Sequence, residues 1–139
     1  MKPDNIFLRS KDESVAVGDF GICHLEGDGT RITITEEAVG PVYYMAPELE
    51  DGRIADISSK SDIYSLGNLL YWLLSGGKIF SREKHREKKW DLRGWNSTRQ
   101  RWNNIYMEHV NRLLDSMIVV SPEARLFIDQ VLLITRLLR

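Results

Sequence analysis

Three short runs carry the residues whose types could do chemistry. They are Lys2-Pro3-Asp4-Asn5, Asp19-Phe20-Gly21 and Tyr44-Met45-Ala46-Pro47-Glu48. Lys2 offers an ammonium; Asn5 and Asp19 offer amide and carboxylate oxygens, the donor types that hard cations such as Mg²⁺ take. Each run is weak alone. Taken singly, Asp19-Phe20-Gly21 reads as a turn after a strand and Asn5 as a turn asparagine. Their order and spacing are more specific. Further on stand Asp62-Ile63-Tyr64-Ser65-Leu66-Gly67 and, after Ser121-Pro122, Arg125.

Together the five runs resemble the protein-kinase signature set. They match its catalytic-loop Asn, D-F-G, A-P-E, the Asp and Gly of the large central helix, and a late Arg. The resemblance covers essentially the whole chain. It implies an ATP- and Mg²⁺-dependent transferase that moves the γ-phosphate to hydroxyls of a protein substrate. Phosphoryl transfer is catalysed mainly by positioning and charge stabilisation. By resemblance, Asn5 and Asp19 ligate the metal and Lys2 contacts the γ-phosphate. Lys2 at this point is the Ser/Thr-type pattern. Phe20 packs behind the Asp, Glu48 pairs with Arg125 in the interior, and Asp62 caps its helix and holds the catalytic-loop backbone. The Tyr43–Met45 and Gly77–Arg86 stretches look more like bacterial kinases than animal ones.

Two departures stand out. Where the family commonly has Gly-Thr before Y-M-A-P-E, this chain has Gly40-Pro41-Val42-Tyr43. Pro41 cannot supply the threonine hydroxyl. In the family's order, the Gly-rich loop, the ATP-contacting Lys, its Glu partner and H-R-D all precede residue 2. The expectation is a chain that begins inside the catalytic loop, lacks the N-terminal lobe and is inactive alone. The alternative is a non-catalytic helical module that binds a kinase or regulator. Thr30, Thr33 and Thr35 are candidate phosphorylation sites.

Elements must position these residues. Ile6–Leu8 and Val15–Val17 predict two strands of a hairpin across a polar turn. Residues 18–46 show no steady period and read as a long functional loop. Ser59, with Asp62 three residues on, predicts a helix start with Ser59 as N-cap. Ile63, Leu66, Leu70, Leu73 and Leu74 form its apolar stripe, widened by Leu69 and Trp72. Gly76-Gly77 ends it. Tyr106, Val110, Leu113, Leu114 and Met117 mark a second helix, and a third runs from about Phe127 to Leu138. With the preceding family helix missing, the stripe on the central helix should be partly bare, and the chain poorly soluble alone.

Composition is that of an ordinary globular domain, with 42% hydrophobic and 28% charged residues over 139 positions. The net charge of −1 gives no global attraction to nucleic acid or membrane. Residues 81–89 carry five Lys or Arg, with Trp90, Trp95 and Trp102 close by. A solvated face beside tryptophan anchors explains that pattern better than a nucleic-acid surface. By resemblance, the 81–102 surface is where a regulatory partner would dock. The lone Cys23 reads as small filler, and one thiol fits a reducing cytoplasm. His24, His85 and His109 lack ligand-like spacing. No membrane span and no leader are expected.

The fold expectation is mainly α with a small β-hairpin, a protein-kinase-like C-terminal lobe. Residues 1–5 would be a catalytic-loop remnant, 19–48 the activation segment and 49–139 the helical lobe.

Overall fold

The computed structural model describes residues 1–18, 41–50, 58–79, 92 and 104–137. Two strands, β1 (Ile6–Leu8) and β2 (Val15–Val17), come first. Four helices follow: α1 (Pro47–Glu50), α2 (Ser59–Leu74), α3 (Asn104–Met117) and α4 (Ile128–Leu137). Short 3₁₀ turns lie at Pro3–Asn5, Pro41–Tyr44 and Pro122–Ala124. The described residues are thus mostly helical with one two-stranded antiparallel sheet, as the sequence predicts.

The hairpin pairs Ile6 with Val17, Phe7 with Ala16 and Leu8 with Val15. Its turn is held by Asp12, whose Oδ1 accepts from the backbone N–H of Ser14 at 3.1 Å and from its hydroxyl at 2.7 Å. Glu13 takes up the left-handed backbone (φ 56°) that closes so short a turn. Both faces of the hairpin leave apolar side chains open: Leu8 (72% exposed) and Val15 (64%) on one, Phe7 (53%) on the other.

Helix α2 is the central element. Its N-cap is Ser58, not Ser59. Ser58 has extended backbone (φ −149°) and its hydroxyl accepts from the Lys60 N–H at 3.3 Å. Ser59 is already the first helical residue. At the other end Gly76 and Gly77 both have positive φ, and the Gly77 N–H donates to the Trp72 carbonyl at 2.8 Å. That six-to-one bond is a Schellman closure, and it satisfies a carbonyl the helix would otherwise leave open.

The core lies between α2 and α3. Ile63, Tyr64 and Tyr71 meet Met107, Leu113, Leu114, Met117 and Ile118, with Ala46, Leu92 and Val131 adding to the same cluster. The apolar stripe of α2 is partly bare, as expected: Ile63 and Leu69 are buried, but not every leucine is. Leu73 is 57% exposed, and Leu66, Leu70 and Leu74 are only partly buried. Ser61, Ser65 and Asn68 are buried as well. The Ser61 hydroxyl donates to Glu48, the Ser65 hydroxyl to the Ser61 carbonyl and the Asn68 side-chain N–H to the Tyr64 carbonyl, while Asn68 Oδ1 has no hydrogen-bond partner among the described residues. Helix α4 buries only Val131 fully. Among the described residues no helix is long and apolar enough to cross a membrane.

Candidate functional site

Lys2 and Asn5 sit on one tight turn. Pro3, with its φ fixed, opens a 3₁₀ turn, and the Asn5 N–H donates to the Lys2 carbonyl at 3.1 Å. Asn5 leads directly into β1. Across the hairpin, the Gly18 N–H donates to the Asn5 carbonyl at 2.8 Å. Strand pairing therefore brings the residue before Asp19 against Asn5. The Phe7 ring lies over Gly18 so closely that a Cβ there would stand 2.6 Å from Phe7 Cε2. Asp19 and Phe20 lie outside the described residues, as do Cys23, His24, the three candidate threonines, His85 and the 81–102 surface apart from Leu92.

The turn also faces the chain near residue 44. Tyr44 is buried, and its phenol is pushed up by that burial and by the negative charge of Asp4. Tyr43, next to it, is exposed. Asp62 departs from its expected role. It is exposed, the cap is Ser58, and among the described residues the Asp62 side chain makes no hydrogen bond. Its charge acts instead on the amino group of Met1.

The most complete arrangement is built around Glu48 and Arg125. Both side chains are fully buried. Arg125 Nη1 donates to Glu48 Oε1 at 2.5 Å and Nη2 to Oε2 at 2.7 Å, a bidentate pair. A guanidinium has five N–H groups. The other three go to the carbonyls of Val119 (2.6 Å, from Nε), Val120 (2.9 Å, from Nη2) and Lys60 (3.2 Å, from Nη1). Every donor is used. Glu48 Oε1 also accepts from the Ser61 hydroxyl at 2.6 Å. Burial pushes the Glu48 carboxyl up, but the Arg125 and Ser61 hydrogen bonds and the guanidinium charge outweigh it and hold the group below its ordinary value. The Tyr64 ring lies 4.9 Å from the guanidinium carbon and closes the cage.

The sequence motifs pointed to Glu48 and Arg125 but not to Ser61, Tyr64 or the three carbonyls. A helix-interior serine next to the motif Asp62 gives no signal of its own. The pair ties α1 to the first turn of α2 and to the stretch from Val119 to Arg125. Of the residues the sequence singles out for chemistry, Lys2 and Asn5 share one turn, and Gly18, the residue before Asp19, is bonded to Asn5. An amide and a carboxylate oxygen suit a Mg²⁺ ion, which keeps most of its shell as water and phosphate oxygens. Among the described residues there is no cluster of three or more His, Cys, Asp or Glu side chains that would form an all-protein metal cage.

Residues 1–134 match the family model described as the protein kinase domain. The chain is 41% identical over 80 residues to a serine/threonine-protein kinase PknB of Mycobacterium leprae, covering 58% of this chain and 12% of that protein. It is 33% identical over 133 residues to a calcium and calcium/calmodulin-dependent serine/threonine-protein kinase of Lotus japonicus, covering 90% and 24%. It is 33% identical over 146 residues to the ovarian-specific serine/threonine-protein kinase Lok of Drosophila melanogaster, covering 95% and 28%. The chain thus spans from about an eighth to just over a quarter of the length of these relatives.

Proposed function

We propose that this chain, which belongs to the protein kinase domain family, is the metal-binding and substrate-facing part of a Ser/Thr protein kinase. Asn5 and Asp19 hold Mg²⁺, and Lys2 steadies the γ-phosphate of ATP as it passes to a protein hydroxyl. A metal held there would supply charge neutralisation as phosphoryl transfer proceeds. Residues 19–48 form the activation segment, and its end is moored by Glu48. A regulatory partner docks on the 81–102 surface. The single thiol suits a cytoplasmic setting.

One observation carries this reading: the 2.8 Å bond from the Gly18 N–H to the Asn5 carbonyl. It supports a geometry in which two oxygen donors 14 positions apart in sequence serve one cation. The 139 residues contain no H-R-D triplet, so a polypeptide of these residues alone transfers no phosphate.

The test joins the N-terminal lobe and catalytic loop of a relative, PknB of Mycolicibacterium smegmatis, to this chain at Lys2. Transfer of labelled phosphate to a generic protein substrate is then followed with Mg²⁺. The chimera is expected to label Ser and Thr, and N5A or D19N to lower kcat by at least ~100-fold, as loss of a transition-state charge partner does. A folded chimera that stays active with D19N would overturn the assignment. So would robust transfer by residues 1–139 alone.

A further inference from the structure

We propose that Lys60 is a positioning residue that clamps the segment around Arg125 and so keeps the guanidinium facing Glu48. The Lys60 carbonyl accepts from Arg125 Nη1 at 3.2 Å. Its ammonium crosses the same segment on both sides of Arg125. It donates to the Glu123 carbonyl at 3.1 Å and sits 4.0 Å from the centroid of the Phe127 ring. One residue therefore grips positions 123, 125 and 127 at once, from the first turn of α2.

The clamp explains an otherwise costly exposure. Phe127 is 57% exposed and contributes nothing to the core cluster. A ring in that position is useful as a face for a cation, which a partly dehydrated lysine finds favourable. The segment it secures is short and irregular. The Pro122–Ala124 turn has no side-chain cap, and Arg125 itself has extended backbone (φ −77°, ψ 152°). Nothing local to residues 122–127 fixes the direction of the Arg125 side chain. Its own hydrogen bonds must be made by groups brought from elsewhere, and Lys60 supplies one of them while holding the backbone on either side.

The proposal rests on the Glu48–Arg125 geometry and not on the phosphotransfer reading, so each can fail without the other. The experiment follows the exchange of the Arg125 Nε–H with solvent by nitrogen-15 NMR in the 139-residue chain, with the Ile63 amide as a core reference. Relative to the Ile63 amide, the Arg125 proton is expected to exchange about tenfold faster in K60M, the size of effect that losing a charged hydrogen bond gives, and about threefold faster in F127L, that of losing an exposed cation–ring contact. K60R keeps the charge and the ring contact and should stay near the wild-type ratio. F127L keeps the Lys60 charge, so an effect there is not one of long-range field. If Arg125 and Ile63 accelerate by the same factor, Lys60 adds only general stability and the proposal falls. It falls equally if the ratio does not change in either variant.

Discussion

Ile118 packs directly over Gly67: a Cβ on residue 67 would lie 2.8 Å from Ile118 Cγ1 and 3.0 Å from Met117 Cβ. The crossing of α2 and α3 depends on that missing side chain. The glycine is there for close approach, since no positive φ is found at this position. The motif that suggested a kinase-like central helix thus has a packing reason in this chain.

G67A follows from that contact. Alanine would improve helix propensity by about 1 kcal/mol. Against this, Met117 Cβ is anchored to the backbone of α3 and cannot move alone, and overpacking of this kind costs about 1–3 kcal/mol. We expect a net loss near 1 kcal/mol, read as a lower urea midpoint with an unchanged m-value.

R125M removes the partner of a buried carboxylate. Leaving one charge of such a pair stranded costs about 3–5 kcal/mol. R125K should recover little, because an ammonium has three donors and cannot reproduce a fork that uses five. Urea unfolding of the two variants beside the wild type measures both effects. A lysine variant as stable as wild type would contradict the five-donor cage.

Acid should weaken the fold through Glu48. Its folded-state pKa lies below its ordinary value of 4.5. A group shifted down contributes stability that is present above the ordinary value and is lost as pH falls through the lowered folded value. Thermal melts between pH 6 and pH 3, a range chosen to span about the ordinary Glu value, should therefore show a falling limb. E48Q should be less stable at neutral pH and should show a shallower limb, because the group that titrates is gone.

The two serines at the start of α2 can be separated by single substitutions. S58A removes the oxygen that accepts from Lys60 and should cost about 1 kcal/mol, as N-cap loss commonly does. S59A lies in the first helical turn, makes no cap bond and should be within about 0.5 kcal/mol of wild type. Equal effects at both positions would show that the cap is shared.

The sequence read some of this well. Two apolar runs, Ile6–Leu8 and Val15–Val17, on either side of a polar turn marked both strands to the residue. Glu48 and Arg125 were found by motif although 77 positions separate them. The helix start was misread by one residue, since Ser58 and Ser59 are chemically identical and only backbone conformation tells cap from first turn. The leucine stripe was a weaker guide. Periodicity sees apolar side chains but not which neighbour arrives, and α3 arrives at Gly67, beside Ile63, Tyr64 and Tyr71. Leu73 is left open as a result. Asn5 was legible as a candidate ligand, yet its link to Gly18 appears only once the strands pair. Ser61, Tyr64 and the carbonyls of Lys60, Val119 and Val120 carry no sequence signal, since any residue has a carbonyl and burial selects these.

The distance along the chain between Glu48 and Arg125 also has a kinetic meaning. Closing a flexible loop of that length costs about 4 kcal/mol from its length alone. A buried ion pair must also offset the desolvation of both its charges, so its net gain does not cover that closure and the pair is a poor nucleus. It closes only after α2 and α3 have come together and shortened the path. The buried guanidinium then works as a seal on a packed helical core: changes to it should speed unfolding while leaving the rate of folding nearly as it was.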